Sequence, residues 1–463
     1  MKRPNYTMLC DYYELTMANG YFENGMSDKI SYFDMFFRNI PDGGGFAIAA
    51  GLEQLCEYIE NLKFTDKDIR FLRSKKIFSE KFLEYLKDFK FTGDVWSVPE
   101  GTPIFPGEPV VIVRAPAPQA QFLETFLLLT INHQTLIATK ANRIVRAAQG
   151  RAVAEFGSRR AQGADAAILG ARAAYIAGCA ATACTQTDRD YGVPATGTMA
   201  HSWVQMFPTE YDAFKAYCEV YPDNATLLID TYSVLKSGLP NAIKAYKEIL
   251  APRGIKKFGV RIDSGDIAYL TKKIRERFDE ELIRDIIFQG AKIDSFGVGE
   301  RLITAKSDPV FGGVYKLTAI EDEKGNVIPK IKISENPEKI TTPSFKKVYR
   351  IYEKESGQAY ADYITLHDEK PNFKKPLELF DPKAPWKRSV QEDYKAVELL
   401  RPIFKNGKRV YDLPSLEEIR KYCAEQIDLL WDTVKRFDYP HEYYVDLSQK
   451  LWDLKNDMLR NQK

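Results

Sequence analysis

From about residue 150 the chain repeats one rhythm: a short apolar run, a polar tip, then a helical stretch. Ala152-Val153-Ala154-Glu155-Phe156 ends in Gly157-Ser158-Arg159-Arg160, and Pro194-Ala195-Thr196-Gly197-Thr198 leads to His201. Thr226 to Ile229 ends in Asp230-Thr231, and Phe258 to Ile262 ends in Asp263-Ser264-Gly265-Asp266. Ile293 to Phe296 ends in Gly297-Val298-Gly299. Strands alternating with helices predict a parallel sheet. Several strands ending in polar residues predict an irregular (β/α) barrel, in which chemistry sits on the loops after the strand C-termini.

The alternation fails once. Ile267 to Arg275 and Asp279 to Ile287 both read as helix, with no strand between them and a joint at Phe278-Asp279. A helix pair without a strand would leave unpaired edges in a parallel sheet, so a break in the chain is expected between residues 275 and 280.

The flanking regions have a different texture. Residues 7 to 24 and 51 to 90 read as helical, separated by a strand-like Ile30 to Phe37. Residues 93–115 alternate Val, Pro and Gly as short antiparallel strands do, and 116 to 148 returns to helix. After Lys346 a hairpin is expected at 347–352 and 361–366 around Ser356-Gly357. A Pro-rich surface stretch follows at 371 to 386, then helices at 415–436 and 446–460. The predicted fold class is α/β, with an N-terminal α+β sandwich domain (1–148) that includes the β-rich part. The barrel spans 149–345. A C-terminal α+β and helical region (346–463) packs on the N-terminal domain. Three domains suit 463 residues at roughly 150 per domain.

Composition removes other classes. Lys+Arg 66 against Asp+Glu 64 gives +2, so nothing advertises a nucleic-acid partner. No run approaches the ~20 apolar residues of a membrane span, and no secretory leader is expected. The six cysteines are scattered without a CxxC pair, which argues against a disulfide framework or zinc ribbon. A cytoplasmic enzyme is the expectation.

Taken together, the tips offer Asp230, Asp263 and Asp266 as carboxylates and Arg159, Arg160 and Arg261 as cations, with a histidine and a Gly-x-Gly turn. Carboxylates suit a ribose diol or a Mg²⁺ held through phosphates. Arginines grip phosphate or carboxylate, and glycine turns expose N–H groups to phosphate. The set describes a phosphorylated sugar, a metal and an anionic second substrate. Singly, Gly297-Val298-Gly299 is more often a plain tight turn, and Asp263 with Asp266 is as readily a helix-capping pair. Of the four histidines, His201 stands just past a strand between small residues. His133 lies in an apolar helix, and His367 and His441 read as surface or structural. Tyr13 and Phe156 could sandwich a flat ring or simply pack.

Five segments in order carry a resemblance: Cys10 to Met17, Glu155 to Gly163, Gly197 to Trp203, Val260 to Asp266 and Phe296 to Glu300. Together they resemble the nicotinate phosphoribosyltransferases, among the type II phosphoribosyltransferases. The resemblance implies condensation of nicotinate with phosphoribosyl pyrophosphate, coupled to ATP hydrolysis, in NAD biosynthesis. It implies that His201 is phosphorylated by ATP. Tyr13 would stack on the pyridine ring from the neighbouring subunit of a homodimer, with Phe156 and Arg159 at the opposite face. Thr198 and Arg261 would lie near nicotinate and the phosphoribosyl group. Asp230, Asp263 and Asp266 would surround the ribose and Mg²⁺, with Asp230 and Asp263 holding the metal through substrate. Gly297 and Gly299 would frame the 5′-phosphate. It also implies a further strand between Asp266 and Gly290, for which the sequence shows no strand-like run. A catalytically impaired, nucleotide-binding homologue is therefore an alternative. So is another phosphosugar barrel enzyme, although no Schiff-base lysine stands at a tip.

Overall fold

The computed structural model describes residues 4–256, 258–264, 270 and 293–461. The expected break at 275–280 and Asp266 both lie outside the described residues. Two compact units are present. The first comprises residues 1–141, 176–178 and 307–463, and the second comprises 142–175 and 179–306.

The first unit is organised by a seven-stranded antiparallel sheet. Its order is Val327–Pro329, Val314–Glu321, Ile30–Phe36, Val111–Pro116, Asp94–Ser97, Arg401–Lys405 and Lys408–Arg409. Ile30–Phe36 is central, and its five inner residues are buried. A strand covered on both faces has no need to alternate polar and apolar residues. The buried Asp34 is held there by Lys346 Nζ at 2.9 Å. Burial pushes the Asp34 carboxyl up, and the lysine opposes that shift. Strands 314–321 and 327–329, grouped by sequence with the barrel, belong to this sheet. The unit therefore resumes at residue 307, not 346.

A second sheet of this unit orders Tyr394–Glu398, Lys346–Glu353, Ala359–Leu366 and Tyr444–Leu447. The expected hairpin is its centre. Arg350 donates two hydrogen bonds to Asp362, at 2.8 and 2.6 Å, and both side chains are buried. The Pro-rich stretch expected at the surface is largely exposed or half-buried, and from Leu377 it forms a hairpin, Leu377–Asp381 with Ala384–Gln391. Pro385 is tolerated because in a two-stranded sheet every strand is an edge. Helix starts are locally specified. Thr65 with Asp68 and Ser415 with Glu418 form reciprocal capping boxes.

The second unit carries the strand–tip rhythm. Ser295–Val298, Ala152–Glu155 and Ala181–Thr182 form one parallel sheet, and Thr226–Leu228 pairs in parallel with Gly259–Arg261. Val204, Phe214, Leu227, Ile229 and Leu250 centre its apolar core. Every described pairing in this unit is parallel. The described strands form two separate sheets, and no closed barrel is traced among them. Two sequence expectations shift. Ala181–Thr182 is the strand next to Ala152–Glu155, whereas Pro194 to Thr198 is reduced to a single bridge, Thr182 to Ala195. The last strand starts at Ser295, not Ile293, because the Ile293 carbonyl accepts from Arg151 Nε at 3.0 Å.

Among the described residues no helix is long and apolar enough to cross a membrane.

Candidate active site

The polar tips of the second unit converge on Arg261. Strand Gly259–Arg261 leaves this guanidinium partly buried. Its Nη1 donates to Thr198 Oγ1 at 2.9 Å, and its Nη2 donates to Asp263 Oδ1 at 2.5 Å. The same group lies over the Phe156 ring, 5.8 Å from its centroid. One arginine thus joins three tips that are far apart in sequence, and the ring of Phe156 is held by a cation–π contact.

Asp230 fixes the next turn. Its Oδ2 accepts from the Asp263 N–H at 2.9 Å and from Ser264 Oγ at 2.6 Å. Its Oδ1 is buried and has no hydrogen-bond partner among the described residues. An unsatisfied buried acceptor typically costs about 1–3 kcal/mol, more when charged, so a ligand donor or a cation placed there would be stabilising. Asp263 is different, because its carboxylate is already neutralised by Arg261.

His201 opens the helix His201–Gln205, and its Nδ1 lies 3.1 Å from Thr231 Oγ1. That contact leaves Nε2 as the ring nitrogen free of this partner. Spacing gave no hint of Thr231, which stands 30 residues from His201 in the chain.

Glu155 is the second residue that sequence reasoning left without a role. It is fully buried, and burial pushes its carboxyl up. One oxygen accepts the Gly157 N–H and the other accepts Thr182 Oγ1 at 2.8 Å. It therefore braces the turn that presents Phe156 and the exposed Arg159 and Arg160.

The two glycines of the Gly297-Val298-Gly299 turn play unequal parts. Gly297 lies inside strand Ser295–Val298, opposite Ala154, and a Cβ there would stand 2.6 Å from Phe156 Cδ2. Gly299 follows the strand and precedes the one-turn helix Glu300–Ile303. Gly157 is equally constrained, since a Cβ would meet the Gly299 carbonyl oxygen and Ile303 Cγ2, each at 2.6 Å. Gly297→Ala is therefore expected to displace the Phe156 ring. Overpacking of this kind costs about 1–3 kcal/mol, and a thermal melt should show a lower Tm. An unchanged Tm would mean that the ring moves freely.

Tyr13 belongs to the other unit. It lies 43 % exposed on helix Tyr12–Glu23, beside the exposed Tyr12 and Met17. Burial, then Glu124, pushes its phenol above the ordinary range. The remaining histidines are packed. The His367 ring stacks on Phe345 at 3.8 Å, and burial pushes it down to about 4. His441 stacks on Trp431 at 5.5 Å, and burial lowers His133.

Comparison with known proteins gives the family of the chain. The chain matches the family model of the nicotinate phosphoribosyltransferase N-terminal domain over residues 8–132 and that of the C-terminal domain over 345–455. It is 42% identical to a nicotinate phosphoribosyltransferase of Bacillus subtilis, covering 98% of this chain and 95% of that protein. The chain belongs to the nicotinate phosphoribosyltransferase family. A Mycobacterium tuberculosis relative with the same name is 37% identical over 96% of this chain and 92% of its own length. The crystal structure of human nicotinic acid phosphoribosyltransferase matches with a TM-score of 0.84 at 27% identity, covering 97% of this chain and all of that one. A Pyrococcus furiosus nicotinate-nucleotide pyrophosphorylase, at 23% identity and a TM-score of 0.68, shares the fold.

Proposed function

We propose that the chain condenses nicotinate with phosphoribosyl pyrophosphate, giving nicotinate mononucleotide and pyrophosphate. The observation that carries this reading is the single cluster formed by Phe156, Thr198, Asp230, Arg261 and Asp263 in a member of this family. The pyridine nitrogen attacks C1′ and forms the N–C1′ bond. The C1′–O bond breaks, and pyrophosphate leaves with the electron pair. Positive charge develops on the ribose ring and negative charge on the leaving group. The free Oδ1 of Asp230 can accept a ribose hydroxyl or face the ribosyl cation, and Arg261 offers charge to phosphate oxygens. Phe156 supplies one apolar face for the pyridine ring. The rest is positioning.

Mg²⁺ would find few protein ligands among the described residues of this cluster. Among the described residues no group of three or more His, Cys, Asp or Glu side chains could hold a metal ion, and Oδ1 of Asp263 is taken by Arg261. Among the described residues Asp230 Oδ1 is an acceptor open to it, and the ion would be held mainly by phosphate oxygens and water. Such an ion would supply charge neutralisation of the leaving pyrophosphate. Asp266 remains a proposed contact to the same substrate, and Gly299 a proposed contact to its 5′-phosphate.

ATP is proposed as a co-substrate. Nε2 of His201 would attack the γ-phosphorus, forming N–P as the bond to the β–γ bridging oxygen breaks and ADP leaves. Thr231 would hold the ring by Nδ1.

Substrate choice should follow charge. Arg159 and Arg160 suit the carboxylate of nicotinate, and losing a charged hydrogen-bond partner typically costs about 1.5–3 kcal/mol. The ratio of kcat/KM for nicotinate over nicotinamide is expected to be roughly tenfold to a hundredfold or more, and to collapse in Arg159→Gln/Arg160→Gln. Equal turnover of the two substrates by the unaltered protein would contradict the reading.

The site is further proposed to be shared in a homodimer, with Tyr13 supplied across the interface. The exposed apolar face of Tyr12, Tyr13 and Met17 supports this. Mixing Tyr13→Ala and Asp263→Ala subunits should restore about a quarter of the activity, since half the dimers would be mixed and each would hold one intact site. No recovery after subunit exchange would argue for sites complete within one chain.

A further inference from the structure

A cavity of about 920 Å³ opens within the first unit, built from residues outside the cluster described above. It lies among the hairpin Leu377–Asp381 and Ala384–Gln391, the strand Tyr444–Leu447 and the helix Gln449–Asn461. Its volume is that of a small-molecule site. The wall is rich in aromatic rings: Tyr360, Phe380, Tyr444 and Trp452 all line it. Trp452 is fixed in place. Its Nε1 donates to the Pro382 carbonyl at 3.2 Å, and its ring meets Phe380 edge-on at 6.0 Å.

Two side chains in this cavity lack the partners that their chemistry calls for. Asp446 is 6% exposed, and its carboxyl has no hydrogen-bond partner among the described residues. Burial, with Asp381 adding to it, pushes that carboxyl up to about 7. Lys455 makes one described hydrogen bond, to Thr342 Oγ1 at 3.2 Å. The charges that act on it are those of Lys346 and Lys383, and after burial they push it down to about 8. Lys346 is already paired with Asp34, and Asp381 accepts from the backbone N–H groups of Lys383 and Ala384. A buried carboxyl without a donor is stabilised by a hydroxyl or amine brought to it. A half-buried ammonium among other cations is stabilised by an anion. The aromatic wall takes a flat ring.

We propose that this cavity is a nucleotide site, with the base against Trp452 and its neighbours, a ribose hydroxyl or base amine on Asp446, and the phosphate on Lys455 and Lys383. A purine nucleotide and a pyridine nucleotide share this chemistry, and the test separates them. The full chain is titrated calorimetrically with AMP, nicotinate mononucleotide and inorganic phosphate, as wild type, Lys455→Gln, Asp446→Asn and Arg261→Ala. At least one nucleotide should show a binding event in Arg261→Ala that matches in affinity one of the events seen with wild type, and that event should be at least tenfold weaker in Lys455→Gln and Asp446→Asn. Which nucleotide does so identifies the source. Binding lost in Arg261→Ala alone would place the ligand in the other cluster and overturn the proposal. So would the absence of nucleotide binding, or inorganic phosphate binding as tightly as either nucleotide. If the Lys455→Gln and Asp446→Asn variants fail to fold, the exposed Lys383→Gln carries the test, with weakened nucleotide binding expected and unchanged binding overturning it. Because the readout is binding rather than turnover, the outcome is independent of the catalytic reading.

Discussion

Asp230→Ala is expected to lower kcat/KM for phosphoribosyl pyrophosphate by about 10²–10³-fold, the range seen when a preorganised electrostatic contact to a transition state is removed. Two effects add. The variant loses Oδ1, the buried oxygen with no partner among the described residues. It also loses Oδ2, which holds the Asp263 N–H and the Ser264 hydroxyl and so sets the turn after Arg261. Asp230→Asn separates the two effects. The amide can keep one oxygen on the turn but brings no negative charge to the ribosyl cation. It should therefore keep the wild-type Tm while losing most of the rate. Rates within a few-fold of wild type for both variants would remove Asp230 from the reaction.

His201→Ala is expected to abolish acid-labile labelling from [γ-³²P]ATP while leaving the fold intact. The other three histidines are poor candidates for structural reasons. His367 is stacked on Phe345, His441 on Trp431, and His133 sits within the long helix Glu124–Ala147 of the first unit. Only His201 opens a helix of the second unit beside the Asp230-Thr231 turn, with one ring nitrogen on Thr231 and the other available. Thr231→Val should slow labelling without abolishing it, because the ring loses orientation and not its nucleophile. Label persisting in His201→Ala would move the phosphoryl acceptor elsewhere. Unchanged label together with full ATP stimulation would remove the coupling from this residue entirely.

Legibility in the sequence followed how local each signal was. Thr226 to Ile229 and Phe258 to Ile262 were readable because an apolar run, a charged tip and a helix succeed one another within a dozen residues. Those runs place Asp230, Arg261 and Asp263 together. Ala181–Thr182 was not readable, since two small residues carry no strand pattern. The start of Ser295–Val298 was misplaced because Ile293 looks like a strand residue, yet its carbonyl is taken by Arg151. That shift moved Gly297 from a loop into the strand, where its missing Cβ makes room for Phe156. The hairpin at 377–391 was hidden by Pro376, Pro382 and Pro385, which would break a central strand but not an edge. Strands 314–321 and 327–329 were grouped with their sequence neighbours, because nothing local shows that they pair with Ile30–Phe36 and with each other. Glu155 and Thr231 were silent for the same reason, since their roles arise from contacts that the fold creates.

The account rests on the tip cluster of the second unit being the site of pyridine ribosylation. Pyrophosphate release from phosphoribosyl pyrophosphate, measured with and without nicotinate, tests this most directly. Release should require nicotinate, yield one nicotinate mononucleotide per pyrophosphate, rise when ATP is added, and fall to near background in Asp230→Ala. Release that is indifferent to nicotinate, or no release under any of these conditions, would contradict it.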